Sequence, residues 1–152
     1  MKRKIQWGTV IFLGIYFVVV AYVCLLSEAY GRTELQKTYH YNLIPFREII
    51  RFYTYREQVG IEAFVLNLFG NVFAFVPFGF MVPIINWRFR QVGRAAGLSL
   101  YLSLMVECVQ LITRVGALDV DDLMLNTMGG ILGYWIFYLT NQIRRRWFGQ
   151  NG

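Results

Sequence analysis

Histidine and cysteine are scarce in this chain, which has one histidine, His40, and two cysteines among 152 residues. No CxxC pair occurs, so a Cys/His zinc site is excluded. Cys24 and Cys108 both fall within apolar segments. We therefore expect two buried thiols that behave as small hydrophobic groups, and no disulfide.

Charge is missing from four long apolar segments, whose interiors carry no charged side chain except Glu107. Each segment is close to the roughly 20 residues that a helix needs to cross a bilayer. The segments cover residues 5–26, 61–85, 95–113 and 123–143. They predict an all-α, integral membrane four-helix bundle that forms one domain over residues 1–152. The first segment is too long for a signal peptide and is interpreted as a retained anchor.

Basic residues are concentrated on one predicted side of the membrane. Residues 2–4, 88–94 and 144–146 contribute nine arginines and lysines and no acid. The positive-inside rule places this side in the cytoplasm. The sequence therefore predicts a multi-pass protein of the cytoplasmic membrane with both termini cytoplasmic. The net charge of +6 follows from this topology, and no nucleic-acid partner is expected.

A short amphipathic helix is predicted on the other side, over residues 45–58. Pro45 suits a first helical position. Apolar residues then recur at helical spacing, at Phe46, Ile49, Ile50 and Tyr53. Such a helix lies in the membrane interface. It either covers the bundle as a lid, or it turns Arg47 or Arg51 toward lipid phosphates or Glu107.

A polar stripe follows the third segment at spacings of three and four residues, which places it on one helical face. Its members are Ser99, Ser103, Glu107, Gln110 and Arg114. An ionisable group at membrane depth marks a functional site or a buried structural pair. At about 1.5 Å per residue, Glu107 lies about 9 Å inside the outer end of its helix.

Asparagines on two other segments are predicted to reach the same depth. Asn67 and Asn71 share a face of the second segment, and Asn126 begins the fourth beside the small-residue pair Gly129 and Gly133. Amides in membrane helices often serve only as interhelical hydrogen-bonding groups. Their convergence with Glu107 favours a polar site in the outer leaflet.

The link between the third and fourth segments contains Asp119, Asp121 and Asp122. One aspartate would cap the N-terminus of the following helix. The other carboxylates, with Glu107, would offer oxygen ligands to a divalent cation such as Mg²⁺ or Ca²⁺. Both interpretations stay open: capping, or a metal site of Glu107, Asp119 and Asp122.

Taken in order, these motifs resemble those of the VanZ-like family of small bacterial membrane proteins, from about residue 40 to 140. The matching pieces are Asn42-Leu43-Ile44-Pro45-Phe46, Asn67-x-x-Gly70-Asn71, Glu107-x-x-Gln110, Arg114, Asp119-x-x-Asp122, Asn126-x-x-Gly129 and Gly133-Tyr134. The resemblance implies a cell-envelope protein linked to glycopeptide resistance, and specifically to reduced sensitivity to teicoplanin, a lipid-bearing antibiotic.

Two functions are compatible with these residues. In the first, the site acts on a lipid-linked envelope molecule, with Glu107, Asp119 and Asp122 as catalytic groups. Substrate would be bound by Arg47, Asn67, Asn71, Gln110, Arg114 and Asn126. In the second, the same groups bind a lipid or the antibiotic without catalysis, and a small transporter is a weaker third option. Membrane lipids or lipid-linked cell-wall molecules are the expected partners, and a homo-oligomer is one option for the assembly.

Overall fold

The computed structural model describes residues 2–26 and 39–148, and confirms the all-α class. Its elements are α1 Lys2–Leu26, β1 Tyr41–Asn42, α2 Arg47–Thr54, α3 Arg56–Val59, α4 Ile61–Ile85, α5 Val92–Thr113, β2 Leu118–Asp119 and α6 Val120–Phe148. Part of the outer region predicted between the first two segments, residues 27–38, lies outside the described residues, as does the side chain of Cys24. Cys108 is a free thiol.

Three helices of the described chain are long and apolar enough to cross a membrane. The qualifying spans are Ile5–Tyr22 in α1, Phe64–Ile85 in α4 and Val92–Thr113 in α5. The fourth predicted span lies in α6, which is longer, at 29 residues, but less apolar. Charged residues at both ends of α6, and glycines and amides between them, lower its mean hydropathy.

Helices α4 and α6 form the closest pair in the bundle, because glycines bring their backbones together. A Cβ at Gly129 would overlap the carbonyl oxygen of Val72, and one at Gly133 would overlap that of Val76. A Cβ at Gly79 would likewise overlap the carbonyl oxygen of Gly130. Small residues permit this approach in membrane helices. On its other side, Gly130 leaves room for Ser99 of α5, so three helices meet at this point.

Helix α1 contacts the bundle through side chains. A cluster of Tyr16, Val20, Phe78, Met81 and Val82 joins α1 to α4. The Tyr16 hydroxyl donates a hydrogen bond of 2.8 Å to the Ala74 carbonyl, close to Pro77. Most of the Ile5–Tyr22 span remains exposed, so α1 is the peripheral helix of the bundle.

The amphipathic segment after residue 45 forms two helices, with a break at Tyr55 between α2 and α3. Just before it, β1 pairs in parallel with β2, so that Asn42 lies beside Asp119. This two-residue ladder attaches the segment that precedes α2 to the link between α5 and α6.

Candidate functional site

Glu107 lies near the end of α5 that is remote from the arginine-rich loop at 88–94, and only 2% of it is exposed. Its Oε2 accepts a hydrogen bond of 2.9 Å from the backbone N–H of Asp119. The acid of the third span therefore points into the bundle and holds the backbone of the aspartate-rich link.

Asp119 stands at the start of α6 and connects three parts of the chain. Its Oδ1 accepts from the Asn42 side-chain amide at 3.0 Å and from the Asp121 N–H at 2.8 Å. The second bond is the usual cap of a helix N-terminus. Burial raises the pKa of Asp119 above its ordinary value, against the opposing effect of these two hydrogen bonds.

Asp121 caps a different helix from its own. Its carboxylate accepts from the backbone N–H groups of Phe46, Glu48 and Ile49, which form the first turn of α2. Phe46 turns into that helix with a φ of 65°, in the left-handed region. The negative carboxylate also lies at the positive end of the helix dipole. We call Asn42, Glu107, Asp119 and Asp121 the carboxylate network.

Two further pairs of polar side chains connect the long helices. The Asn71 amide on α4 donates to the Asp122 carboxylate on α6. On α6, the Asn126 amide donates to the Ser103 hydroxyl on α5 at 2.8 Å. Asn126 is only 4% exposed, and its Oδ1 has no hydrogen-bond partner among the described residues. An unsatisfied buried acceptor costs about 1–3 kcal/mol, so a bound polar group here would be stabilised.

Other predicted site residues lie apart from the carboxylate network or at its edge. Gln110 is buried next to Gly116. Arg114 is exposed and lies over the Tyr39 ring, with 4.6 Å from its guanidinium carbon to the ring centroid. Arg47 is exposed at the start of α2, and Asn67 is half-buried on α4.

Glu48 adds another carboxylate close to the carboxylate network. It pairs with Arg51, one turn further along α2, at 2.6 Å. Burial raises the pKa of Glu48, while the Arg51 guanidinium lowers it and the nearby Asp119 carboxylate raises it further. Arg51 is thus engaged within α2 by its own helix neighbour.

The predicted metal site gains no support from this arrangement. Within residues 2–26 and 39–148, no three His, Cys, Asp or Glu side chains are placed to hold a metal ion. The three aspartates direct oxygens toward protein N–H groups instead: Asp119 toward Asp121 and Asn42, Asp121 toward α2, and Asp122 toward Asn71. Capping accounts for two aspartates, in two different helices.

The sequence predicts no separate role for Asn42, and it indicates Asp121 only as part of an acidic run. Both are buried. The conspicuous Asn-Leu-Ile-Pro-Phe segment was a usable signal for Asn42, since its amide also accepts from the Ile44 N–H and so shapes that turn. Nothing local indicates that Asp121 bonds a helix 73 residues earlier in the chain.

These features define a helical membrane protein with a buried carboxylate and amide network beside one end of its third span. The chain belongs to the VanZ/LLP1 family, whose sequence model matches residues 13–141. It is 31% identical to Protein VanZ of Enterococcus faecium over 135 residues, which cover 86% of this chain and 73% of that protein. No solved structure matches the chain.

Proposed function

We propose that this protein is a bacterial cell-envelope protein linked to glycopeptide resistance, teicoplanin included, and that it binds a lipid-linked envelope molecule at its outer leaflet. The observation that carries the proposal is Glu107, a carboxylate buried on a membrane helix and bonded to the link that begins α6. Ionisable groups at such depth belong to functional sites by default. Membership of the VanZ/LLP1 family supports the association with resistance.

Binding is favoured over catalysis by the state of the carboxylates. Asp119, Asp121 and Asp122 already accept hydrogen bonds from backbone or amide groups. A carboxylate that already accepts such hydrogen bonds is suited to keeping the surrounding backbone in place, and less to exchanging a proton with a substrate. The unpartnered Oδ1 of Asn126 supplies an acceptor for a polar ligand group at the centre of the bundle.

Catalysis on the same lipid-linked molecule is the second candidate, and one observation favours it. Burial raises the pKa of Asp119, and a carboxyl group perturbed in this way beside a second buried acid is typical of acid–base sites. In this case Glu107 or Asp119 would exchange a proton with the bound molecule.

The test is a teicoplanin susceptibility assay in a sensitive bacterial host that expresses the full chain. We expect wild-type protein to raise the inhibitory concentration and Glu107→Ala to abolish the effect. Glu62→Ala is the matched control, because Glu62 is an exposed acid at the start of α4. Protein levels in the membrane are compared by immunoblot. Full protection by Glu107→Ala at equal protein level would contradict the proposed site.

Glu107→Gln separates the two candidates, since glutamine keeps the acceptor oxygen for the Asp119 N–H but cannot exchange a proton as a carboxylate does. A binding protein keeps most of its protection with this substitution. An enzyme that uses Glu107 as a base loses it, by about 100-fold or more in rate.

A further inference from the structure

A cavity lies at the other end of the bundle, between α1, α4 and α6. It has a volume of about 620 Å³ and is far along α4 and α6 from the carboxylate network. Its polar lining is formed by Gln6, Arg90, Thr140, Asn141, Arg144 and Arg145. We call this cavity the basic cleft.

The basic cleft has positive charge without a counter-charge. Arg90, Arg144 and Arg145 line it, and no acidic residue does. The nearest acids in sequence are Glu107 and Asp122, because the chain has no acid from 63 to 106 or after 122. None of these three arginines forms a salt bridge with a residue in 2–26 or 39–148. The charge of the cleft is therefore available to an anion from outside the protein.

Two of these arginines are held in place by the protein. Arg90 donates from Nε to the Pro83 carbonyl at 3.1 Å, and its guanidinium carbon lies 5.6 Å from the centroid of the Phe137 ring. Arg144 donates to the Asn141 side chain at 2.9 Å. A guanidinium that keeps free N–H groups in a fixed position is well suited to a phosphate.

An apolar groove continues from the basic cleft toward the middle of the bundle. A second cavity, of about 250 Å³, lies between α1 and α4 and shares Phe80 and Ile84 with the cleft. Its remaining lining comes from Gly8, Thr9, Phe12, Pro77 and Met81. A polar anion site that opens into an apolar groove matches the form of a lipid, with a headgroup and a chain.

We propose that the basic cleft binds the phosphate headgroup of an anionic phospholipid, with an acyl chain in the groove beside Gly8. The charge distribution of the chain assigns this end to the cytoplasmic leaflet, where anionic lipids attract basic residues. This site is separate from the carboxylate network, so it stands independently of the proposed function.

The first experiment measures the charge preference. Purified full-length protein in detergent is titrated with short-chain phosphatidylglycerol or phosphatidylcholine, and bound lipid is counted by native mass spectrometry. We expect phosphatidylglycerol to bind about tenfold more tightly. Arg144→Gln/Arg145→Gln should remove this preference. Arg90 is kept, since it also supports the loop through Pro83.

Arg88→Gln/Arg146→Gln is the matched control. It removes the same charge at the same end of the bundle, from two exposed arginines that do not line the cleft. We expect it to keep the preference for phosphatidylglycerol. Equal binding of the two lipids by wild-type protein, or an equal loss in both double variants, would overturn the proposal in favour of diffuse surface charge.

The second experiment separates a lipid from a free phosphate compound. Gly8→Leu fills the groove, and Gly14→Leu is its control on the same helix, since a Cβ at either glycine meets no other atom within 4 Å. We expect Gly8→Leu to weaken phosphatidylglycerol binding and Gly14→Leu to leave it unchanged. Glycerol phosphate should bind wild-type protein far more weakly than phosphatidylglycerol. Equally tight binding of the two would show that the cleft binds a free phosphate compound and that the acyl chain contributes nothing, which would overturn the proposal of a lipid site.

Discussion

At the scale of single residues, two buried acids of this protein accept hydrogen bonds from the backbone of a neighbouring element. Glu107 accepts from the N–H of Asp119, and Asp121 accepts from three N–H groups of α2. Their depth was evident from sequence, because an isolated acid in an apolar run stands out. Their partners were not evident, because hydrogen bonds between distant segments leave no local pattern.

We expect Asp121→Asn to destabilise the protein by about 1–3 kcal/mol. In wild-type protein, three N–H groups donate to the two carboxylate oxygens of Asp121, whereas an asparagine amide has only one acceptor oxygen. The first turn of α2 would lose its cap. Trypsin should then cleave faster at Arg47 and Arg51, which can be measured by limited proteolysis in detergent. Glu57→Gln, at an exposed acid of α3, is the control. Unchanged cleavage in Asp121→Asn would show that α2 is held by other contacts.

Asp119 makes a contribution to stability that depends on pH. Burial raises its pKa in the folded state above its value in the unfolded chain, so its contribution is present at low pH and is lost as the pH rises through the raised pKa. Asp119→Asn keeps the accepting oxygen and does not titrate. We expect this variant to show less loss of thermal stability than wild-type protein as the pH rises from about 4 toward neutrality.

Glu62→Gln, at an exposed acid, is the reference for that measurement. An identical pH profile in wild-type protein and Asp119→Asn would mean that the folded state does not disfavour the charged form.

At the scale of elements, the long helices can be predicted from hydropathy, whereas the short helices can be predicted only in part. The apolar segments predict four helices, and each lies within a helix of the structure, with α1, α5 and α6 extending further. The stripe on α5 correctly indicated a buried face, since Ser99, Ser103, Glu107 and Gln110 are all buried. The pairing of β1 with β2 joins positions 77 residues apart, and helical periodicity carries no information on such pairs.

The glycines of α6 provide a test at this scale. Gly129→Ala would place a methyl group against the Val72 backbone, so α4 and α6 must separate, at a cost of about 1–3 kcal/mol. Gly97→Ala is the control, because a Cβ on that face of α5 meets nothing within 4 Å. Thermal unfolding in detergent should show a lower midpoint for Gly129→Ala alone. Equal midpoints would indicate that the helix pair can adjust without loss.

At the scale of the whole molecule, charge divides the bundle into two unlike ends. Arginines without acids line the basic cleft, whereas the acids among residues 39–148 lie toward the end of the bundle that carries α2 and the start of α6. The sequence predicts from this distribution that both termini are cytoplasmic. The direction in which the ends face also decides which leaflet supplies ligands to each proposed site.

Reporter fusions measure that direction. We expect green fluorescent protein to fluoresce when fused after residue 152 or in the loop near Arg90, because it folds on the cytoplasmic side. Alkaline phosphatase fused after Gly60 should be active, because it folds outside, and should be inactive near Arg90. The reverse pattern would invert the topology and would place the carboxylate network in the inner leaflet.

The bond between Asp121 and the first turn of α2 has a mechanical consequence. A membrane helix and an amphipathic surface helix share one carboxylate, with no flexible linker between the two contacts. A tilt of α6 would therefore move the first turn of α2 with it. The position of α2 at the membrane surface is thus coupled to the orientation of α6.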